Sequence, residues 1–322
     1  MNSRKKIKIF IIMISLMLCI ILGILIGYEI NIAQKPESEQ KQESTVIEQI
    51  PPIGFPNVGY SCYANSLLQS IFSQEDFIKH FRRSGNGPLF KLLKKLIEAI
   101  KNNEVIDSTM MKDIISNVKN TPNTTFKIGV MESADEFFLK LLDQLSEENN
   151  PKIKEEFVIK LDEKLKCISC NDEKHAVSDP TPFMTINKDS TISKAIKNAM
   201  REEEIDRHCI KCNANKAIKC LSWNKTPNIL VLVNNCIDRT MQTKLSYTFD
   251  VDYKLHIKDT NYIISSIIIH SGSVNGGHYI ANCNRGGQWY EFNDALVTPI
   301  NKADFREKIK NMEGVVFIYK KV

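Results

Sequence analysis

An α+β protein, with helices gathered in the first half of the chain and strands in the second, is the fold class the sequence predicts. Three observations carry this. Apolar residues recur at helical spacing up to about residue 145. Short β-rich runs crowd the chain from Phe157 onward. No strand–helix–strand alternation of the kind that builds a parallel sheet is visible.

The chain opens on a basic head, Arg4, Lys5, Lys6 and Lys8, followed by IFIIMISLMLCIILGILIGY at 9–28, which holds no charged residue. Such a run matches the hydrocarbon thickness of a bilayer. It is longer than the apolar part of a cleaved leader, and no small-x-small cleavage site follows it. The expectation is a transmembrane anchor within 1–28. Residues 29–50 are rich in Glu, Gln, Ser and Lys and read as a polar linker, too hydrophilic to fold alone. Residues 51–322 have globular composition and form the third predicted segment. Outside the basic head the chain carries 39 bases and 38 acids. That near-neutrality, without a basic, aromatic-laced stripe, argues against nucleic acid as a partner.

The globular segment begins with GFPNVGYSCYANSLLQSIF at 54–72. Its first half is a Gly/Pro loop. Its second half places Ala64, Leu67, Leu68, Ile71 and Phe72 on one helical face. Cys62 stands at the join, where the oriented backbone dipoles of a helix N-terminus are expected to lower a thiol pKa. A second helix is predicted over 88–100. A third begins after Ser133, which forms a capping box with Glu136 and precedes the stripe Ala134, Phe138, Leu141, Leu142 and Leu145. The predicted strands are FVIKL, NILVLV, YIISSIIIH, HYIANCN, QWYEF and VVFIY.

A nucleophilic cysteine needs a base, and the base needs an orienting group. His278 opens a strand after Gly276 and Gly277. If 279–283 and 288–292 pair across the turn at 285–287, Asn293 returns beside His278, with Asp294 next to it. Asn57, five residues before Cys62, is placed to offer an amide to a developing oxyanion. Taken singly, each residue has an ordinary structural reading: a core cysteine, a surface histidine, a turn asparagine. Two C-x2-C knuckles, Cys167/Cys170 and Cys209/Cys212, have the spacing of a four-cysteine structural zinc site, with an excursion between them. Cys220, Cys236 and Cys283 read as plain strand residues, and His175 and His208 as surface imidazoles.

The stretch at 54–72 resembles the cysteine box of the ubiquitin-specific proteases. YIISSIIIHSGSVNGGHYIANCN followed by WYEFNDALV resembles their histidine box, and ESADEFFLKLLDQL, TPNILVLV and GVVFIYKK are similar to further segments in the same order. The resemblance implies a papain-like thumb and palm with β fingers carrying a zinc ribbon. It implies Cys62 as nucleophile, His278 as base, Asn293 as orienter with Asp294 as alternate, and Asn57 as oxyanion donor. The implied activity is thiol-dependent hydrolysis of peptide or isopeptide bonds after the terminal glycine of ubiquitin. Gly276 and Gly277 would line the channel for that diglycine tail, and zinc would be structural, with no catalytic cofactor. Two departures stand out. Tyr60 replaces an asparagine, and Ser133 stands where the family carries an acid that holds ubiquitin's basic tail, leaving Glu132 and Asp135 as the nearest acids. These departures keep open a catalytically silent ubiquitin-binding module. A cleaved N-terminus would leave open a secreted-type thiol protease with another substrate. The basic head favours exporting the domain across the membrane. The need for ubiquitin and a reduced thiol favours the cytosolic side, and the expectation is a single-pass membrane protein with its catalytic domain in the cytosol.

Overall fold

The computed structural model describes residues 50–322 except 83–84, 122, 149–150, 239–242, 246–247 and 274–275. A helical layer forms from the first half: α1 (Cys62–Phe72), α2 (Pro88–Lys101), α3 (Ser108–Asn117) and α4 (Ala134–Glu147). The caps are those the sequence chemistry dictates. Pro88 sits in the first turn of α2, and Ser133 caps α4 by accepting from the Glu136 N–H at 3.3 Å. α3, missed by the sequence reading, is capped by Asp107, whose side chain accepts from the Met110 N–H at 2.7 Å.

The later strands are β1 (Lys160–Cys167), β2 (Glu173–Val177), β3 (Met184–Ile186), β4 (Glu203–Asp206), β5 (Lys216–Lys225), β6 (Ile229–Asn234), β7 (Lys254–Ile257), β8 (Thr260–Ser273), β9 (Gly276–Arg285), β10 (Gln288–Asn293), β11 (Leu296–Ile300) and β12 (Gly314–Lys321). Two short helices interrupt them, α5 (Ile192–Ala199) and α6 (Lys302–Lys308). The main sheet runs β11-β10-β9-β8-β12-β6-β3, with β7 paired to the start of β8; every pairing is antiparallel except β3 with β6. A separate sheet, β2-β1-β5-β4, carries the cysteine knuckles at its end. This segregated α+β arrangement is the predicted class.

β6 shows why the sheet is covered on both faces. Ile229, Val231 and Val233 pack with the helical layer, while Leu230 and Leu232 pack with Ile192, Ile196, Phe249 and Phe317 on the other side. A strand buried on both faces reads as the continuous apolar run ILVLV rather than an alternation. α1 is likewise buried along its whole length, polar Asn65, Ser66, Gln69 and Ser70 included. The five-residue stripe read from the sequence therefore understates its burial.

Two expectations need correction. FVIKL is not a strand from its start: Phe157 and Ile159 belong to the core, and β1 begins at Lys160. The placement as a membrane-anchored protein with a cytosolic catalytic domain is also corrected. Among the described residues no helix is long and apolar enough to cross a membrane. The 14-residue helices α2 and α4 rise only about 21 Å against a hydrocarbon core of about 30 Å. The segment 9–28, on which the anchor and the membrane partner rested, lies outside the described residues.

Candidate active site

The loop before α1 is held in an irregular shape by its own side chains. Gly59 and Tyr60 adopt φ of 91° and 54°. Asn57 Oδ1 accepts from the Gly59 and Ser61 N–H groups at 3.1 and 3.3 Å, and Ser61 Oγ accepts from the Val58 N–H at 2.9 Å. This turns the chain sharply into α1 and leaves Cys62 as the first helical residue, only 2% exposed.

From the other side comes the β9–β10 hairpin. Its turn, Gly286–Gly287, has φ of 61° and 88°, the left-handed pair that a two-residue connection between twisted strands requires. Arg285 pairs with Gln288 and Ala281 with Phe292, so Asn293 returns toward His278 as the sequence register predicts. His278 Nε2 lies 2.7 Å from Asn293 Oδ1. An amide oxygen only accepts, so Nε2 carries the proton and Nδ1 is left with its lone pair, free to act as base.

Asp294, at φ 52°, ties the two halves together. Its Oδ2 accepts from Asn57 Nδ2 at 2.9 Å and its Oδ1 from Asn65 Nδ2 at 2.7 Å, while Oδ2 stands 4.0 Å from His278 Nε2. The Phe55 N–H donates to Asp294 O at 2.9 Å. Asn65 was overlooked in the sequence because the helical reading gave weight only to the apolar face. Its position one turn after the cysteine was the available signal.

Burial pushes the Cys62 thiol above its ordinary value, the reverse of the lowering expected at a helix N-terminus. The Tyr279 N–H pulls it back, the Asp294 carboxylate pushes it up further, and the Tyr63 and Cys62 N–H groups pull it down. The dipole effect is thus present but smaller than desolvation. The same contacts place the sulfur beside the backbone of the residue following His278.

A cleft of about 830 Å³ adjoins this point, lined among others by Tyr60, Glu132, Asp135, His270, Gly276 and Gly277. Ser133 lines it too, but its hydroxyl is committed to capping α4. The cleft also receives Cys236, which lies just beyond β6 rather than inside a strand. His270 is held neutral, its pKa pulled down to about 4 by burial and by the charges of Lys244 and His278. A Cβ on Gly277 would overlap Ser271 O and the His270 ring, whereas one on Gly276 would meet only Ser273 Oγ at 3.8 Å. Gly277 is therefore small because Ser271 O and the His270 ring on the paired strand fill the space.

The second constellation closes as the spacing predicts. Cys167, Cys170, Cys209 and Cys212 bring their sulfurs within 4.8 Å of one another, with Cys167–Cys212 at 3.6 Å and Cys170–Cys209 at 3.7 Å. A tetrahedron with spokes of about 2.3 Å has edges of about 3.8 Å, so the four sulfurs fit a metal the size of zinc. A disulfide would need a separation near 2.05 Å, and all four thiols are free. His175 and His208 are exposed, as expected.

A papain-like thiol hydrolase with a four-cysteine finger is the class that this fold and site define. Residues 53–319 match the family model described as ubiquitin carboxyl-terminal hydrolase, and the chain belongs to that family of cysteine-type deubiquitinases. It is 24% identical over 319 residues to ubiquitin carboxyl-terminal hydrolase 8 of Saccharomyces cerevisiae, covering 78% of this chain and 67% of that protein. It is 23% identical over 295 residues to ubiquitin carboxyl-terminal hydrolase 11 of Schizosaccharomyces pombe, covering 83% of each. Among solved structures, the SAGA DUB module Ubp8/Sgf11/Sus1/Sgf73 bound to ubiquitin aldehyde aligns with a TM-score of 0.71 and 22% identity, over 86% of this chain and 71% of that one. The same module bound to monoubiquitin aligns with a TM-score of 0.73 and 22% identity, over 85% and 70%.

Proposed function

We propose that this deubiquitinase cleaves peptide and isopeptide bonds after the terminal glycine of ubiquitin through Cys62, His278, Asn293 and Asn57. The observation that carries the reading is the meeting of α1's first residue with the β9–β10 hairpin, where the His278–Asn293 bond fixes one tautomer beside a buried thiol. His278 Nδ1 takes the Cys62 proton, and the thiolate attacks the scissile carbonyl. The leaving amine takes that proton back, and water then hydrolyses the thioester. The Asn57 amide has two N–H donors. Asp294 holds one, which aims the group and leaves the other for the oxyanion. Gly276 and Gly277 border the path of the diglycine tail, with Asp294 anchoring the loop on its far side. Glu132, Asp135 and Glu136 are the acids that would face a basic tail in the cleft. The four cysteines would hold one structural zinc, which when bound cross-links β1 to the loop before β5 and takes no part in the chemistry.

The test is reaction of the whole chain with a ubiquitin probe bearing a C-terminal electrophile. One adduct at Cys62, lost in Cys62→Ala, is expected. Labelling that persists in Cys62→Ala, or that falls on Cys236, overturns the assignment.

A further inference from the structure

β9 carries His278 near its start and Arg285 as its last residue. Arg285 is 7% exposed, and burial pulls its guanidinium down to about 10, so it remains a cation at neutral pH. Nη2 donates to Gln69 O and to Gln69 Oε1, both at 2.9 Å, and Nη1 donates to Ser73 Oγ at 2.9 Å. The group lies 5.5 Å from the Phe292 ring centroid, and its Nε is buried without a partner. All three acceptors are neutral. The partial negative charge at the C-terminal end of α1 offsets some of the desolvation cost. An apolar side chain of similar volume would spare that desolvation cost but leave Gln69 Oε1 without its donor, so the net gain in stability from the cation is small.

What an apolar side chain could not do is fix a register. α1 lies along β9 with Cys62 beside Tyr279 at one end, Ser70 Oγ 3.8 Å from Cys283 Sγ between, and Gln69 and Ser73 on Arg285 at the other. Apolar burial is non-directional and does not by itself single out one axial register. The three hydrogen bonds do. Gln69 also passes the constraint onward, its Nε2 donating to Ile53 O at 2.7 Å, just before the loop that carries Asn57 and Cys62. Asp294 anchors that loop at the near end.

We propose that Arg285 is a positioning residue for catalysis: by pinning the C-terminal end of α1 to β9 and, through Gln69, the loop before Cys62, it sets the axial register of the nucleophile against His278. This rests on the catalytic roles proposed above. The test uses the full chain as Arg285→Met, which keeps volume and removes donors and charge. With a fluorogenic ubiquitin C-terminal amide, kcat is expected to fall about tenfold with KM within about twofold of wild type, the signature of lost geometry rather than lost binding. Thermal unfolding should fall by no more than a few degrees, the cost of leaving Gln69 Oε1 without its donor. The pH profile of Cys62 alkylation by iodoacetamide should shift, a readout that altered packing elsewhere would not move. Arg285→Lys, which keeps the cation and part of the bonding, should recover some of the loss. Wild-type kcat and alkylation profile in folded Arg285→Met overturn the proposal. If that variant does not fold, Gln69→Met decides, with the same loss expected and wild-type kcat overturning. Failure of the underlying roles looks different: turnover of the wild-type chain would then survive Cys62→Ala.

Discussion

Replacing Asn293 by alanine isolates the contribution of one hydrogen bond to catalysis. His278 has a side chain 42% exposed, so packing does little to hold its ring. The 2.7 Å contact from Nε2 to Asn293 Oδ1 is what fixes both orientation and tautomer. A neutral hydrogen bond of this kind contributes on the order of 1–1.5 kcal/mol, a factor of about 5–13 in the population of the competent ring state. Loss of the dipole facing the imidazolium that forms on attack adds to this, giving an expected fall in kcat of roughly 10- to 50-fold. KM should change little, because Asn293 lies behind the histidine rather than toward substrate. The melting temperature should move by only a few degrees, since about 1 kcal/mol corresponds to about 2–4 °C in a domain of this size. Steady-state kinetics with a fluorogenic ubiquitin amide, alongside a thermal melt, measure all three. If Asn293→Ala keeps more than half of wild-type kcat while Asp294→Ala loses most of it, Asp294 is the orienter and the argument from the 2.7 Å bond fails.

Three further outcomes follow from the same geometry. Elemental analysis of the freshly purified chain should find one zinc per molecule, and chelation should lower the melting temperature through the finger sheet before it affects Cys62 labelling; protein purified without any zinc would refute the site. Gly277→Ala should lower the melting temperature and cost well over tenfold in activity because its Cβ collides with Ser271 O and His270, while Gly276→Ala, whose Cβ meets only Ser273 Oγ, should leave the melting temperature unchanged and raise KM by narrowing the path of the diglycine tail; equal melting temperatures would show that the strand pair accommodates the methyl. Because burial raises the Cys62 pKa, alkylation of free enzyme should climb with pH to a midpoint above that of an exposed thiol. By linkage, the stability associated with neutral Cys62 is fully present below its unfolded pKa and is lost as pH rises through the folded one; an alkylation midpoint below the ordinary thiol value would contradict this.

Local chemistry made much of the site readable. The glycine turn at 286–287, the strand period and the fifteen residues between His278 and Asn293 were enough to bring these two side chains together without any tertiary information. The knuckles were equally local. What sequence reasoning missed depends on long-range packing. Asp294 meets Asn57 and Asn65 across 237 and 229 residues, and no pattern along the chain announces such a contact. Desolvation of Cys62 was invisible for the same reason: helix position is a local property, whereas burial depends on everything packed around it. α3 was missed because its stripe, Met111, Ile114 and Ile115, is short and its flanks are polar. The apolar run at 9–28 shows the opposite failing, a strong local signal carried into a statement about cellular placement that the described helices do not support.

The strand Gly314–Lys321 is not an edge of the main sheet but its middle. Gly314–Lys321 lies between β8 and β6, bonded on both sides, and separates strands that emerge some fifty to ninety residues earlier. It is the strand that joins β8, with its attached His278 hairpin, to β6 beneath the helical layer. The facing of α1 and the hairpin is a separate matter, held by direct contacts of Asp294 and Arg285 with the helix and the loop before it. One strand thus carries the link between the two parts of the sheet, through pairings far apart along the chain of the kind that make folding slow.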